Sequence, residues 1–508
     1  MIGEMKVSSF SRAGLPALLA AVMLLGTACP VIDSEEELEK ERIKADTDYK
    51  VKDYLRSQYM DVFYYWRDQV IRRNSGLKPY NYDIYTFFDE MLYSGDRWSW
   101  MCDKEDYVSE ETGVMQGTWG VSVGQAVEYY GDYTIRIRYI YPGSPFEKYG
   151  VTRGSAIIEI GGKNIEDDEE GFTSEKLQSF QSGFYKSPQT FKIRRPDGSE
   201  VSFTDSMEPR LSTKSSLSDT IFRPEDFSGL PGPVGYFHYL SFKANFLSDI
   251  DSAMKKFHDA GVRNLIVDLR YNGGGDSRAS QLLVDYLAPK SAVGKPYVLR
   301  KHNSYLASLS DDFSDAKNTY SIEGNAGSLT LDKLYFIVGE GSASASEMVI
   351  NGLKPYFGDR LQMVGDTTYG KPNGMYVLMY PGSNDDYTAY NKGDFSKLQW
   401  VFLPVCFFNQ NSTGQQIPSN GFVPDLYRPD DLYHDFGTEE GGINACLTHI
   451  ATGKYPELIP GTVHQRTNTK SGTKAGYRIK TETDKANYGL DVVQRPILEI
   501  LQKNQREF

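Results

Sequence analysis

Between residues 234 and 364, short apolar runs alternate with longer stretches of helical spacing. The segments 234–242 (VGYFHYLSF), 264–270 (NLIVDLR), 334–338 and 361–364 read as strands, from their length and their β-branched and aromatic content. Residues 246–260, 279–286 and 347–357 read as helices, the last with Met348, Ile350 and Leu353 at its apolar positions. Strand and helix in turn predict an α/β core. Upstream, VKDYLRSQYMDVFYYWRDQV carries helical periodicity with Tyr54, Phe63 and Trp66, and a second helix is expected to end near Gly95. This pattern predicts a small helical N-terminal domain. Downstream, MYVLMY and LQWVFLPVCFF read as strands. A helix is expected near 444–452, then a polar stretch at 461–488 and a last helix ending near Gln502. Residues 210–232, where Ser, Pro and Gly cluster, read as a linker.

The chain has 508 residues, more than one ordinary domain holds. Its hydrophobic share of 40%, with 36 Tyr and 26 Phe, is ample for packed cores. A net charge of −13 argues against a nucleic-acid partner, since phosphate binding needs a basic face. At the N-terminus, Lys6 and Arg12 precede an apolar run at 15–25, too short to span a membrane and suited to a signal peptide. Cys102, Cys406 and Cys446 have no metal-ligand spacing, although one disulfide among them is open. The six histidines lack an HExxH pattern and read as surface or satisfied core residues. No metal and no cofactor is expected.

Candidate chemistry concentrates in LYFIVGEGSASASEMVINGLKPYFGDRLQMVGDTTYGK (334–371). A strand, a turn of small residues and a helix place a serine where unpaired backbone N–H groups favour developing negative charge. By itself Ser344-Ala-Ser-Glu347 is also an ordinary capping box. The second half adds Lys371, which serves as a general base if burial disfavours its ammonium form. Another strand–loop–helix unit carries YNGGGDS at 271–277, without the spacing of a dinucleotide loop.

GSASASE followed by GDTTYGK resembles the signature of the C-terminal processing, or tail-specific, serine peptidases, which use a Ser–Lys dyad and carry a PDZ domain ahead of the catalytic core. The resemblance implies Ser344 as nucleophile, with Ser346 as the alternative, and Lys371 as base. DLRYNGGG resembles the family's oxyanion loop, implying Gly274 or Gly275 together with the N–H of Ala345; Asp268 and Arg270 would brace that loop. Two departures stand out. The Ser-to-Lys interval is longer than in the family, the surplus falling near 355–358. Met375 stands where some members have a glutamine that orients the base. WGVSVG and the segment after it resemble a PDZ domain, with Gly120, Val121, Ser122 and Val123 as the peptide-binding candidates for β-strand addition. GFVPDLY resembles a late motif of the core, with Asp425 structural. Gly26-Thr27-Ala28-Cys29 resembles a bacterial lipoprotein cleavage site with Cys29 lipidated, and the acidic run 33–37 resembles a surface tether.

The implied organisation is an α/β multidomain chain: signal peptide 1–28, tether 29–45, helical domain 46–110, β-rich PDZ domain 111–209, peptidase core 210–440 and helical or polar tail 441–508. The implied protein is a lipid-anchored serine endopeptidase of the bacterial envelope, on its periplasmic or outer face, acting on polypeptides, with the PDZ domain recognising substrate C-termini or gating the site. The alternatives are a non-catalytic peptide-binding lipoprotein on the same fold and, more remotely, a Ser–His hydrolase.

Overall fold

The computed structural model describes residues 46–126, 131–457 and 490–491. The expected signal peptide, Cys29, the tether, the polar stretch 461–488 and the last helix lie outside the described residues. The chain divides into two compact units, Met1–Val51 and Lys52–Phe508. Of the first, residues 46–51 are described and are helical. The second holds every described sheet.

At the centre of this second unit is a six-stranded sheet: β1 (Ser216–Phe222), β2 (Val234–Tyr239), β3 (Asn264–Asp268), β4 (Lys333–Val338), β5 (Leu361–Gly365) and β6 (Leu426–Tyr427), adjacent in that order. β1 pairs antiparallel with β2, and every later pairing is parallel. The connections carry helices α1 (Leu247–Asp259), α2 (Ser277–Leu287) and α3 (Ala345–Phe357). Leu265, Val267, Leu334, Phe336 and Val338 face these helices in one core. Ile266, Tyr335 and Ile337 face the other way, onto Ile443, Ala445 and Leu447 of α4 (Gly441–Thr452). Both faces are covered, which is why β3 and β4 read as unbroken apolar runs rather than alternating ones.

The expected linker at 210–232 is a correction: much of it is strand. Glu208–Ser212 pairs with Val114–Thr118, and β1 adds to the main sheet. SLSDTIF is a sheet-edge strand with mostly half-buried positions, so it lacks the apolar run that marks β3. The separate helical N-terminal domain is also corrected. Residues 55–60 form a π-helical turn followed by two short helices, Arg67–Asn74 and Ile84–Met91. Trp100–Asp103 then pairs with Trp400–Leu403, far along the chain. Tyr59 and Phe88 meet Phe402 at ring distances of 6.1 and 6.3 Å. The aromatic stripe read as a local core is thus shared with residues some three hundred positions downstream.

Residues 121–205 form an antiparallel sheet in the order Val121–Ala126, Asp132–Ile140, Ala156–Ile160, Gln189–Arg194, Glu200–Asp205, around Trp119, Ile137, Phe146 and Phe191. Among the described residues Val121–Ala126 is an end strand, paired only with Asp132–Ile140. No helix of the described residues is long and apolar enough to cross a membrane.

Candidate active site

Three loops leave the carboxyl ends of β3, β4 and β5, the neighbouring strands of a parallel sheet, where such sheets place their ligands. The β4–α3 loop carries the three serines. Ser342 Oγ donates to the carbonyl of Leu269 (2.7 Å) and Ser346 Oγ to that of Asn272 (2.8 Å), so both are fully buried braces to the glycine loop. Ser344 is the N-cap of α3, with φ 56° and ψ −112°, and is the one non-glycine residue with positive φ among the described residues. Such a conformation costs on the order of 1–3 kcal/mol and persists only where its surroundings enforce it. A serine on a sharp strand-to-helix turn is also a known way of presenting a nucleophile.

Glu347 enforces that turn. Its carboxylate, fully buried, accepts from the Ser344 N–H (3.0 Å), as half of the expected capping box. It also accepts from the Thr368 hydroxyl (2.6 Å), the Gly370 N–H (2.7 Å) and the Lys371 N–H (2.8 Å). The backbones of Ser344 and Lys371 therefore share one oxygen, Oε2. Burial pushes the Glu347 carboxyl above its ordinary range, while these four donors oppose the rise. Sequence reading took Glu347 for a cap alone and missed Thr368. The signal was present in TTYGK, whose small and polar residues flank the lysine.

Lys371 is fully buried, the condition set for a lysine base, and its Nζ donates to Met375 Sδ at 3.7 Å. A thioether is a weak acceptor with no donor, so it orients the amine more loosely than an amide would. Residues 355–358, where the longer Ser-to-Lys interval is expected to fall, form the last turn of α3 and the start of the 3-10 turn Gly358–Arg360.

The glycine loop crosses directly over Ser344. A Cβ on Gly274 would lie 2.8 Å from Ser344 Cβ, and one on Gly275 would lie 1.9 Å from the Phe242 carbonyl oxygen; both residues have positive φ. Their amides differ. Gly274 N–H donates to Asn272 Oδ1 (2.9 Å). Gly275 lines a small pocket with Ser344 and Ala345, and Ala345, as first residue of α3, has an N–H without an intrahelical partner.

Asp268 and Arg270 brace, as expected. Arg270 donates to Asp268 (2.8 Å) and to Glu440, while Arg153 reaches Asp430 (2.7 Å) and the Tyr271 hydroxyl (2.6 Å). Asp425 is structural, exchanging hydrogen bonds with the backbone of Met363. Cys102, Cys406 and Cys446 are buried thiols not joined to one another, which closes the disulfide option among them. His302, His449 and His434 bond Tyr376, Tyr335 and Asp431. The reading of His238 as satisfied is corrected: it is fully buried with neither ring nitrogen partnered among the described residues. Burial pushes its pKa down to about 4, so the ring stays neutral and its missing partners cost less. Of the peptide-binding candidates, Val121, Ser122 and Val123 lie on the end strand, whereas the Gly120 N–H is taken by Thr118 Oγ1 (3.0 Å).

Residues 233–392 match the model of peptidase family S41. The chain is 28% identical over 242 residues to carboxyl-terminal-processing peptidase 3, chloroplastic, of Arabidopsis thaliana, covering 45% of this chain and 41% of that protein. It is 26% identical over 253 residues to the carboxy-terminal processing protease CtpB of Bacillus subtilis, covering 49% and 46%. The matches thus span less than half the length of either relative. A crystal structure of a candidate S41 protease from Bacteroides fragilis superposes with a TM-score of 0.58 at 21% identity, over 80% of this chain and 98% of that one, so the two share a mixed α/β fold. The family match and the two curated relatives lie over the central part of the chain, and the structural match extends the likeness to the fold alone.

Proposed function

We propose that this S41-type chain is a serine endopeptidase that cuts polypeptides through an acyl-enzyme, with Ser344 as nucleophile and Lys371 as base. The observation that carries the reading is Glu347 Oε2 held by the N–H groups of both residues, which joins the two loops at the carboxyl end of the sheet. Ser344 Oγ attacks the scissile carbonyl while neutral Lys371 accepts its proton. Negative charge on the carbonyl oxygen meets the N–H groups of Gly275 and Ala345. The C–N bond then breaks, the departing amine takes the proton from Lys371, and water hydrolyses the ester by the same path in reverse.

Residues 111–209 act as a PDZ-type module that accepts substrate C-termini as an added strand on Val121–Ala126, whose outer edge is open among the described residues. Cys29 carries the lipid that anchors the protein to a bacterial envelope. Ser344→Ala and Lys371→Met are each expected to abolish cleavage of unfolded casein with the fold retained by circular dichroism; full cleavage by either variant sinks the dyad. Met375 in place of an amide is what favours a non-catalytic peptide binder, and casein left intact by the wild-type chain would establish it.

A further inference from the structure

Ser344 lines one side of a small pocket of about 20 Å³. Met348 and Phe407 supply apolar wall; Asn373, Asn409 and Arg300 supply the polar part. The asparagines are the unusual feature. Asn373 is 1% exposed, yet both its amide nitrogen and its amide oxygen are without a partner among the described residues. Asn409, 7% exposed, has an amide oxygen in the same condition. Buried polar atoms almost always find partners, and leaving three open on two residues that line one small pocket costs several kcal/mol in sum, at about 1–3 kcal/mol each. Their positions are fixed by the sheet. Asn373 opposes Phe408, and the Asn409 backbone N–H donates to the Pro372 carbonyl at 2.8 Å, so neither side chain is carried by a loose loop. Arg300 differs: its guanidinium lies over the rings of Tyr320 (4.5 Å) and Phe407 (4.8 Å) and donates to the Tyr320 hydroxyl.

We infer that this pocket receives the side chain of the residue whose carbonyl is attacked, and that it selects a short side chain which both donates and accepts hydrogen bonds, asparagine first and serine next. The inference rests on Ser344 as the nucleophile, since that is what places the pocket on the acyl side of the cut. An amide offers the acceptor that Asn373 Nδ2 lacks and the donor that the two amide oxygens lack. An aliphatic side chain leaves all three unpaired while excluding water from them. A carboxylate brings only acceptors. Sites built to hydrogen-bond a substrate reject analogues without the matching group far more strongly than apolar pockets sort by size.

The test uses one host peptide with Asn, Ser, Leu or Asp at the acyl-side position, read as kcat/KM on the full chain. Asn is expected to exceed Leu and Asp by at least about tenfold, the equivalent of one buried hydrogen bond at about 1.4 kcal/mol. Asn373→Leu is expected to invert the order of Asn and Leu, and Asn409→Leu to narrow the gap should the first variant fail to fold. Leu cleaved as well as Asn overturns the inference and leaves the nucleophile standing. Asp preferred over Asn overturns it by handing recognition to the charge of Arg300. The same peptides ending at that residue, fluorescently labelled and bound to Ser344→Ala, read the pocket without catalysis. Asn-selective binding alongside wild-type chain that cleaves nothing overturns the nucleophile reading alone, whereas binding indifferent to Asn or Leu overturns the pocket.

Discussion

Two carboxylate clusters brace the loops at the carboxyl end of the main sheet, and they solve the same problem with opposite chemistry. Around Arg270 and Arg153, the carboxylates of Asp268, Asp430 and Glu440 are matched by guanidinium groups that join the glycine loop, the start of α4 and the β-rich unit. Around Ser344 and Lys371, Glu347 is matched by three backbone N–H groups and one hydroxyl, all neutral. The difference appears in the carboxyl groups themselves. Burial alone would raise Asp430, but Arg153 and Arg270 outweigh it and hold that carboxyl well below its usual range; Arg270 does the same for Asp268. Burial wins at Glu347, whose carboxyl is raised. In the proposed dyad, a cation used as structural cement beside Lys371 would work against the base directly, through repulsion of like charge on protonation and through competition for the carboxylate. Neutral donors fix both backbones and, in the proposed dyad, leave Lys371 as the group that takes the proton.

Breaking the neutral cluster has the largest expected effect. Glu347→Gln keeps the shape but turns an NH₂ toward N–H donors, removing acceptors from at least one of the two loops. Loosening the Ser344–Lys371 geometry by about 1 Å costs on the order of 10²-fold in kcat. Stability is expected to fall with it by about 2–6 kcal/mol, for two buried donors left unpaired. Peptide kinetics and urea unfolding of one preparation check both. Breaking the cationic cluster acts on stability first: Arg270→Met leaves buried carboxylates uncompensated and is expected to cost about 3–5 kcal/mol in the same unfolding measurement.

Acid sharpens the comparison because the signs differ. Asp268 and Asp430, held low, contribute stability above the usual carboxylate range and lose it as pH falls through their lowered values. Glu347, held high, contributes in the opposite sense: its share is present in acid and is withdrawn as pH rises through its raised value. His238 titrates beside the cationic cluster. With its pKa lowered from 6.5 to about 4, the unfolded chain binds the extra proton between those values, so stability falls as pH drops through that window. The loss is about 3 kcal/mol at 1.36 kcal/mol per unit. His302, lowered to about 3, adds in the same direction. Urea midpoints at pH 7.5 and 4.5 measure the fall, and His238→Phe removes the first part of it. The smallest effect belongs to Met375→Gln, which offers Lys371 a stronger acceptor. Its kcat is expected to change by less than about tenfold, since an amine–amide bond adds about 1 kcal/mol over a thioether contact.

The sequence made the scaffold legible where one physical demand acted alone. β3 and β4, buried on both faces, announce themselves as apolar runs, and the helices between them show their spacing. Legibility failed where the decisive contact was distant. β1 has a half-exposed, serine-rich composition, and only its partner β2 makes it a strand. Trp100–Asp103 reads as part of a helical domain until Trp400–Leu403 is beside it. At the site, Ser344 and Lys371 came from a motif, but the bond that unites them was hidden because Glu347 satisfies a local cap and a distant loop with the same carboxylate. The choice between Gly274 and Gly275 depended on one side chain, Asn272, whose amide had no reason to be noticed. Asn373 and Asn409 were equally silent, since nothing local tells a buried asparagine from an exposed one.

The most direct test of the Ser344–Lys371 pairing is covalent labelling with a fluorophosphonate, located by peptide mass spectrometry on wild-type chain and on Lys371→Met. The account predicts modification of Ser344 in the wild type and its loss in the lysine variant, with Ser342 and Ser346 unmodified throughout. Labelling of Ser346, or labelling of Ser344 that survives the loss of the lysine amine, would contradict it.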